Sequence, residues 1–475
     1  MNSSDAIYPR LPITLQNLAC TYYGWRESRV RYSRVFHERL QWLRQSEHWP
    51  RERIESYQDE QLQLLIQHAY ENVPFYRRIM QERRLVPADI RSRDDLTKMP
   101  VLTKEAVRQY ADAIRAQNAN HRTLRASHTS GTTGKSLHFS TTDAARAFQW
   151  AVWWRHRARF GLALRDLHAS FTGKLVVAPD QARPPFWRWD LSRRQAILTM
   201  HHMTPQRIAS VTDFLGGRGF VYYAGYPSIV HAMAACALEA GLSLRHKPRV
   251  VALGAENTYE FQREQIVSLT GALVTDQYGF SEGCGNASQC EEGAYHEDFE
   301  YGILECVDPE PVGDGRTRGR IVCTGFACPE FPFIRYEVGD IGIWEPDGYA
   351  CSCGRESRVL HSIEGRQDDY VITPESRQIM RFDYIFKDTD RVAESQVVQR
   401  ELGAIVIRIV RRQGYGTADE DYIRSEVARW ISDKLEVAFE YVDEIEREPN
   451  GKFRAVKSLL HEAGTPPEQE AGPHP

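Results

Sequence analysis

The chain of 475 residues lacks the features that would place it in a membrane, outside the cell or on a nucleic acid. It has no uninterrupted run of ~18 apolar residues, so no segment is predicted to span a bilayer. Its first residues lack the apolar core of a signal peptide. The nine cysteines are an odd number with uneven spacing, which favours reduced thiols over a disulfide framework. A net charge of −4 gives no reason to expect a nucleic acid. We therefore expect a cytoplasmic protein with no nucleic-acid and no membrane partner.

Two common nucleotide-binding motifs are also missing. No G-x-G-x-x-G follows a strand-like run, which argues against a dinucleotide-dependent oxidoreductase. The stretch TSGTTGK, Thr129–Lys135, has the composition of a P-loop, but Thr129 stands where that motif needs its first glycine. Glycine gives this stretch backbone freedom, and its N–H and hydroxyl groups can donate to oxyanions. It is predicted to be a phosphate-binding loop of another architecture; by composition alone, a plain surface loop is the commoner explanation.

What the sequence does contain is a change of pattern along its length. A chain of this length is too long for one core and predicts two or three domains. Residues 26–56 are predicted to form a polar helix, and residues 57–82 a helix that Pro74 breaks or restarts. Between about 165 and 345, short β-rich runs alternate with helical stretches, which is typical of α/β layers.

After about residue 364 the pattern resets to a small α+β unit. The runs AESQVVQREL, AIVIRIVRR and EVAFEYVDEI are predicted to be strands, and DYIRSEVARWISDKL an amphipathic helix. The final residues are rich in Pro, Gly and Glu and are expected to be disordered. The predicted organisation is a large domain over 1–363, a hinge over 364–369, a small domain over 370–462 and a tail over 463–475.

Four motifs follow the glycine- and hydroxyl-rich stretch in a fixed order. They are YGFSEG at Tyr278–Gly283, RYEVGD at Arg335–Asp340, EGRQDD at Glu364–Asp369 and PNGKFR at Pro449–Arg454. Together, these five motifs resemble those of the adenylate-forming ligases. The stretch Thr129–Lys135, GAE at Gly254–Glu256 and VPFYR at Val73–Arg77 are most similar to the phenylacetate–CoA ligase-like branch. The resemblance runs from about residue 57 to about residue 456.

The resemblance implies both a fold and a reaction. The fold is α/β, with a large N-terminal adenylation domain of layered sheets and helices and a small mobile C-terminal α+β domain. The reaction is the ATP-dependent adenylation of a carboxylic acid, aromatic or cyclic in the family, followed by acyl transfer to CoA. The segment after the hinge is more similar to the capsule-biosynthesis-associated subgroup, so an amine or a carrier-protein thiol stays open as the acceptor. A non-catalytic nucleotide-binding scaffold is a further alternative, and relatives suggest a homodimer.

By resemblance, most of the motif residues would bind the nucleotide. The stretch is expected to hold the β- and γ-phosphates through Thr129, Ser130, Gly131, Thr132, Thr133, Gly134 and Lys135, with Ser136 in place of a proline usual in the family. Tyr278 and Gly279 would lie on the adenine face, and Ser281 near the α-phosphate. Asp340 would accept hydrogen bonds from the ribose hydroxyls. Gly254, Ala255 and Glu256 are expected near the base, and Arg366 would reach nucleotide oxygens.

The remaining roles are catalytic or concern the acid. Glu282 is the expected Mg²⁺ ligand, since Mg²⁺ prefers one or two carboxylates together with phosphate oxygens. Lys452 matches the family lysine that stabilises charge on the phosphoryl oxygens during displacement. Asp368 would be the hinge residue between two orientations of the small domain. Tyr223, Tyr226 and Pro227 are expected to line an acyl pocket, although most of the neighbouring aromatic residues belong to the core.

One further cluster predicts a metal site. Cys290 and His296 lie close in sequence, and Cys351 and Cys353 follow as a C-x-C-G element. One histidine and three cysteines make a closed set for structural Zn²⁺. Part of the phenylacetate ligase-like family carries similar elements. The alternative is four unrelated residues, with the histidine exposed and the thiols buried.

Overall fold

The computed structural model describes residues 7–128, 137–366, 370–374, 378–379, 382–386, 389, 391–447 and 453–460. The described chain divides into two compact units, and the division falls between Ile363 and Glu364. The predicted phosphate loop Thr129–Lys135, the predicted hinge residue Asp368 and the predicted catalytic Lys452 lie outside the described residues. Arg366 is described only as the last residue of a strand.

The α-helices of the described chain are, in order, α1 (Ile13–Arg31), α2 (Arg34–Ser46), α3 (Arg51–Asn72), α4 (Pro74–Glu82), α5 (Lys104–Ile114), α6 (Asp143–Arg159), α7 (Ile208–Gly216), α8 (Pro227–Glu239), α9 (Glu260–Thr270) and α10 (Thr417–Trp430). None of these helices is long and apolar enough to cross a membrane.

The strands follow the same chain order. In the first unit they are β1 (Leu124–His128), β2 (His138–Thr142), β3 (His168–Thr172), β4 (Trp187–Asp190), β5 (Gln195–Thr199), β6 (Tyr222–Gly225), β7 (Val250–Leu253), β8 (Leu273–Thr275), β9 (Gln277–Gly279), β10 (Asn286–Gln289), β11 (Tyr295–Glu297), β12 (Gly302–Gly313), β13 (Arg316–Gly325) and β14 (Tyr336–Trp344). Strand β15 (Val359–Arg366) reaches the junction, and the second unit adds β16 (Val371–Ile372), β17 (Gln378–Ile379), β18 (Val392–Glu401), β19 (Ala404–Arg411), β20 (Glu436–Tyr441) and β21 (Val456–Ser458).

Proline residues set the helix boundaries near the N-terminus. Pro50 caps the start of α3, and Pro74 is the first residue of α4, where its missing N–H costs no intrahelical hydrogen bond. The predicted break at Pro74 is therefore confirmed. The prediction of one polar helix over 26–56 is wrong, because the chain leaves helical geometry twice, after Arg31 and after Ser46.

A six-stranded sheet forms the first α/β layer. Its strand order is β4-β5-β3-β6-β7-β8, and all neighbouring pairs are parallel except β4 with β5. Helices α7, α8 and α9 pack on one face in a core that includes Tyr223, and α2 and α6 pack on the other in a core that includes Tyr222. Two neighbouring strand residues thus point to opposite faces, as the pleat requires.

A seven-stranded sheet forms the second layer of this unit. Its order is β12-β13-β14-β15-β11-β10-β9, and its core is shared with α3, α4 and α5. Strands β9 and β14 are four places apart, which would separate them by ~19 Å in a flat sheet. Side chains of these two strands nevertheless touch, as described below, so the sheet is strongly curved. The predicted α/β class with layered sheets and helices is confirmed.

The second unit is a small α+β structure. Its four-stranded sheet has the order β20-β19-β18-β21, with β18 antiparallel to β19 and the two outer pairs parallel. Helix α10 buries Ile423 and Val427 in the same core as Ile405 and Ile407 of β19. The three predicted strands and the predicted helix are confirmed here.

Candidate active site and metal centre

Strands β9 and β14 bring two of the predicted nucleotide-binding residues into contact. The Tyr278 hydroxyl donates to Oδ2 of Asp340 over 2.7 Å. Burial, and then the nearby Asp340 carboxylate, raise the pKa of Tyr278 well above its usual value, so the phenol stays a donor. The contact holds the carboxylate in one orientation while Asp340 remains only half-buried.

A second tyrosine–carboxylate pair lies on the same two segments. The Tyr336 hydroxyl donates to Oε1 of Glu282 over 2.7 Å. Tyr336 is completely buried, and burial followed by the Glu282 charge raises its pKa. Glu282 itself is only half-buried. No role for Tyr336 was predicted from the sequence, because only the folded sheet places it beside Glu282, 54 positions away.

A lysine that the sequence analysis missed lies beside this pair of strands. Gly339 has φ +86°, and a Cβ there would lie 2.9 Å from Nζ of Lys104. Lys104 starts α5, and the preceding segment is fixed to β14 by hydrogen bonds between Leu102 and both Arg335 and Glu337. A glycine before Asp340 therefore meets two needs, the left-handed backbone and the room for the Lys104 ammonium.

The GAE turn follows β7 and approaches the start of β9. A Cβ on Gly254 would lie 3.1 Å from the carbonyl oxygen of Gln277. Ala255 has φ +71°, a conformation that costs energy for a residue with a Cβ. Oε2 of Glu256 accepts a hydrogen bond of 3.1 Å from the N–H of Ser228 in the first turn of α8. A carboxylate there also interacts favourably with the positive end of the helix dipole.

The two ends of the predicted phosphate loop are described although the loop is not. Strands β1 and β2 form an antiparallel hairpin whose last pair is His128 with His138. Their imidazole rings stack, with centroids 6.1 Å apart. The stretch Thr129–Lys135 therefore connects two backbone positions that are directly paired.

The three predicted acyl-pocket residues have different environments. Tyr223 is completely buried among apolar side chains, and its hydroxyl has no hydrogen-bond partner among the described residues. It therefore packs in the core, which was the alternative weighed for the aromatic residues of this region. Tyr226 is half-buried and caps α8, and Pro227 is the first residue of that helix. Their contact with an acyl group stays a prediction.

The predicted metal ligands form a compact cluster. One ligand atom from each of Cys290, His296, Cys351 and Cys353 lies within 4.8 Å of all the others. Cys353 Sγ lies 3.3 Å from His296 Nε2, and Sγ of Cys290 lies 3.8 Å from Sγ of Cys351. A tetrahedron with Zn–S bonds of about 2.3 Å has S···S edges of about 3.8 Å, so this set fits zinc in size and donor type.

Two tight turns present these ligands. The N–H of Cys290 donates to the carbonyl of Ala294, which turns the chain back to His296 on β11. On the other side the N–H of Gly354 donates to the carbonyl of Cys351, and Gly354 has φ +76°. The Ser357 hydroxyl lies 3.4 Å from the other ring nitrogen of His296. Such an outer partner orients a ligating imidazole.

The electrostatics of the cluster favour a thiolate at Cys353 and disfavour one at Cys351. Burial alone would raise the pKa of the Cys353 thiol, but the hydrogen bond and charge of His296 together with the hydrogen bonds from Arg355 outweigh burial and lower the pKa to about 5. The pKa of Cys351 is raised to about 12, by burial first and then by its bond with Cys353 and the neighbouring thiolate charges. A divalent cation at the centre would reverse this second effect, because it stabilises every thiolate at once.

A partly buried ion network around Arg355 ties this cluster to the N-terminal helices. Arg355 donates to both oxygens of Glu291 and to Glu47 at the end of α2. Arg159 of α6 also contacts Glu47. The network thus links the cysteine turns to α2 and α6, which pack together on one face of the six-stranded sheet.

Comparisons with known proteins support the resemblance drawn from the motifs. Residues 371–459 match the family described as the CapK C-terminal domain. The chain is 24% identical over 461 residues to Protein CapK of Staphylococcus aureus, covering 94% of this chain and 98% of that protein. It is 29% identical over 342 residues to a phenylacetate–coenzyme A ligase of Thermus thermophilus, covering 68% of this chain and 72% of the ligase.

Solved structures agree on the fold. The crystal structure of 2-hydroxyisobutyryl-CoA ligase in the postadenylation state, in complex with R3-HIB-AMP, superposes with a TM-score of 0.67. It is 20% identical and covers 87% of this chain and 91% of that chain. The predicted resemblance to the phenylacetate–CoA ligase-like and capsule-associated branch of adenylate-forming enzymes is confirmed.

Proposed function

We propose that this chain, a relative of the phenylacetate–CoA ligases and of CapK, is an AMP-forming ligase. It converts a carboxylic acid and ATP to an acyl adenylate and pyrophosphate, and then transfers the acyl group to a nucleophile. Similarity to a phenylacetate–coenzyme A ligase over 68% of the chain supports this proposal, and so do the hydrogen bonds that hold the motif carboxylates Asp340 and Glu282.

The observation that carries the proposal is the pair of tyrosine–carboxylate contacts. In each, a phenol holds one carboxylate oxygen; Tyr336 is buried and Tyr278 half-buried. Among the described residues the second oxygen of each half-buried carboxylate has no hydrogen-bond donor, so it can serve a ligand. A carboxylate fixed in this way is suited to the ribose hydroxyls at Asp340 and to a cation at Glu282. Bound Mg²⁺ would neutralise phosphate charge there; Glu282 is the residue that would hold it.

The chemistry needs groups that receive charge as it develops. The acid's carboxylate forms a bond to the α-phosphorus while the bond to pyrophosphate breaks, so negative charge grows on the leaving phosphate oxygens. Lys104 is a described cation whose ammonium lies against Gly339, the residue before Asp340, and we assign it to the nucleotide region. Lys135 and Lys452 would supply further cations, the first on the β- and γ-phosphates and the second on the α-phosphate and the acid. Both assignments follow from the motifs alone.

CoA is the proposed acceptor, because the ligases named among the relatives are CoA ligases. An amine or a carrier-protein thiol is the second candidate, since the similarity to CapK covers more of the chain than the similarity to the ligases does. An aromatic or cyclic acid is the proposed substrate class. The half-buried Tyr226 would border its site.

The test is acid-dependent pyrophosphate release from ATP, screened over aryl, alkyl and amino acids with and without CoA. Release with one acid class and a further rise with CoA would support both parts of the proposal. Release without any CoA effect would move the acceptor to an amine or a carrier protein. A protein that binds ATP but releases nothing with any acid would contradict the proposal and favour the non-catalytic scaffold.

We also propose that Cys290, His296, Cys351 and Cys353 hold a structural zinc ion. Four protein ligands complete a tetrahedron and leave no open position for a substrate, so the site's role would be to join the β10–β11 turn to the turn before β15. The zinc therefore acts on folding rather than on the reaction.

A further inference from the structure

The exposed half of α1 is unusually apolar for a helix at a protein surface. Leu15, Leu18, Tyr22 and Trp25 recur at helical spacing and are between 45% and 63% exposed. Tyr22 and Trp25 stack with ring centroids 6.0 Å apart. Of the eighteen large apolar side chains that are exposed in the described residues, seven lie within residues 7–25. An exposed apolar patch of this kind marks a surface that binds something.

The helix is firmly fixed to the protein by its other half. The side chains of Asn17 and Thr21 pair with the backbone of β4, the edge strand of the six-stranded sheet. A Cβ on Gly24 would lie 1.8 Å from a carboxylate oxygen of Asp190, so only glycine allows this approach. Buried Gln16 accepts a hydrogen bond from Arg188. The apolar half is therefore a rigid platform, not the core face of a detached helix.

Two loops of the sheet extend the platform with further apolar side chains. Leu175 and Leu191 are 60% and 65% exposed. Lys174, next to Leu175, lies over the ring of Tyr23, and the N–H of Leu191 donates to Thr21 on α1. Leu175 is thus adjacent to a residue that contacts α1, and Leu191 contacts α1 through its own backbone.

The exposed charges of this surface have one sign. Within residues 7–31, 173–176 and 190–194 the exposed charged side chains are Arg10, Arg26, Arg29, Lys174 and Arg194, and no acidic side chain there is exposed. Glu27 is half-buried and paired with Arg31 and Arg146, and Asp190 is fully buried. The guanidinium of Arg29 also stacks over Trp25. The local charge is strongly positive although the chain has a net charge of −4.

We propose that this face of α1 with its two flanking loops is a docking surface for an anionic lipid bilayer. Leucine, tyrosine and tryptophan side chains on one helix face with arginine among them are typical of helices that lie in the membrane interface. Arginine side chains can place their charge at lipid phosphates while their stems and the rings face the acyl region.

The charge pattern favours a bilayer over a second copy of the chain. In a two-fold symmetric contact the same patch meets itself, so arginines would approach arginines with no exposed acid to separate them. An anionic surface is instead complementary to every exposed charge of the patch. The proposal revises the expectation of no membrane partner, which followed from the lack of a spanning segment and did not concern surface attachment.

The experiment is vesicle flotation of the full chain. Vesicles of phosphatidylcholine with phosphatidylglycerol should carry the protein to the top of the gradient, vesicles of phosphatidylcholine alone should not, and salt should weaken the binding. Leu18→Glu with Tyr22→Glu should lower the bound fraction at least about tenfold. Arg26→Glu with Arg29→Glu should lower the partition coefficient about thirtyfold or more, from the loss of two attracted cations.

Matched variants elsewhere on the chain control for exposure and for charge. Leu64 is 61% exposed on α3, so Leu64→Glu is the control for the apolar pair, and Arg122→Glu with Arg218→Glu is the control for the arginine pair. These variants should float like the wild type. An equal loss of flotation in the patch variants and in the control variants would overturn the proposal, and so would no flotation of the wild type with anionic vesicles. A wild-type dimer that only Leu18→Glu with Tyr22→Glu converts to monomer would overturn it in favour of a second copy.

Discussion

Two groups of polar side chains on the seven-stranded sheet differ in where their ligand atoms face. One is the cysteine–histidine cluster, and the other is the pair of tyrosine–carboxylate contacts. At the cysteine–histidine cluster the four ligand atoms face one another, and three of the four residues are buried. At the tyrosine–carboxylate pairs only Tyr336 is buried, and Tyr278, Asp340 and Glu282 are half-buried. Each carboxylate has one oxygen without a hydrogen-bond donor among the described residues. If the proposed roles hold, the first site would have all its metal ligands within the protein, and the second would be completed by the nucleotide and its cation.

The difference agrees with the roles proposed for the two sites. A structural metal site is stable when the protein supplies every ligand, because nothing then has to enter or leave. A site for substrates needs rigid groups with unused hydrogen-bonding capacity. We therefore expect mutations in the cluster to change stability, and mutations at the two carboxylates to change binding and rate without changing stability.

The largest effect should follow from breaking the cluster. Cys351→Ser with Cys353→Ser should abolish zinc binding and lower the melting temperature by more than about 10 °C, because structural zinc contributes its binding free energy to folding. Metal analysis of freshly purified protein and thermal unfolding measure this. Cys306→Ser, at a half-buried cysteine outside the cluster, should keep both zinc and melting temperature. Wild-type protein without bound zinc would remove the assignment.

The next effect concerns the lysine predicted from the PNGK motif. Lys452→Ala should lower acid-dependent ATP–pyrophosphate exchange about 10²- to 10³-fold, since an ammonium that meets developing charge acts mainly on the rate. ATP affinity and melting temperature should stay near those of the wild type. Lys457→Ala, on β21, is the matched control. Unchanged exchange in Lys452→Ala would defeat its catalytic assignment.

Removal of the Asp340 carboxylate should weaken nucleotide binding. Asp340→Ala should raise the ATP dissociation constant about 10- to 100-fold, through the loss of one or two charge-assisted hydrogen bonds to the ribose. Calorimetric titration with ATP and with 2′,3′-dideoxy-ATP checks the cause, because the variant should no longer distinguish the two nucleotides. Asp347→Ala, at an exposed turn, controls for the charge. A variant that still discriminates would place Asp340 away from the ribose.

The smallest effect should come from the buried phenol that orients Glu282. Tyr336→Phe should raise the Mg²⁺ concentration needed for half-maximal exchange about three- to tenfold. A direct hydrogen bond to a charged group is worth about 1.5–3 kcal/mol, and the loss is smaller here because the phenol would act on the cation only through the orientation of Glu282. Tyr349→Phe, at an exposed tyrosine, should leave it unchanged. A fall in the exchange rate by the same factor at all Mg²⁺ concentrations would show that Tyr336 acts through packing rather than through Glu282.

The sequence predicted those features whose residues lie close in the chain or repeat with a period. The helix break at Pro74, the strands and helix after residue 364 and the four members of the cysteine–histidine cluster belong to this group. Proline geometry, period-2 or helical spacing and the C-x-C-G element are local signals.

Local sequence signals did not predict the features that depend on the curvature of the sheet. The approach of β9 to β14, and with it the Tyr336–Glu282 contact and the position of Lys104, follows from how seven strands bend around their shared core. The burial of Tyr223 depends on which face of the six-stranded sheet receives α7 to α9. The hinge role of Asp368 stays a prediction, as do the roles of the Thr129–Lys135 stretch.

The most direct test of the proposed reaction is an isotope transfer. The acid found by the pyrophosphate screen is labelled with ¹⁸O in its carboxylate, and the AMP formed in the presence of the acceptor is analysed by mass spectrometry. Because an acyl adenylate joins a carboxylate oxygen to the α-phosphorus and leaves it there on acyl transfer, AMP should carry one ¹⁸O. Unlabelled AMP, or label in a phosphate released beside ADP, would contradict adenylation by this protein.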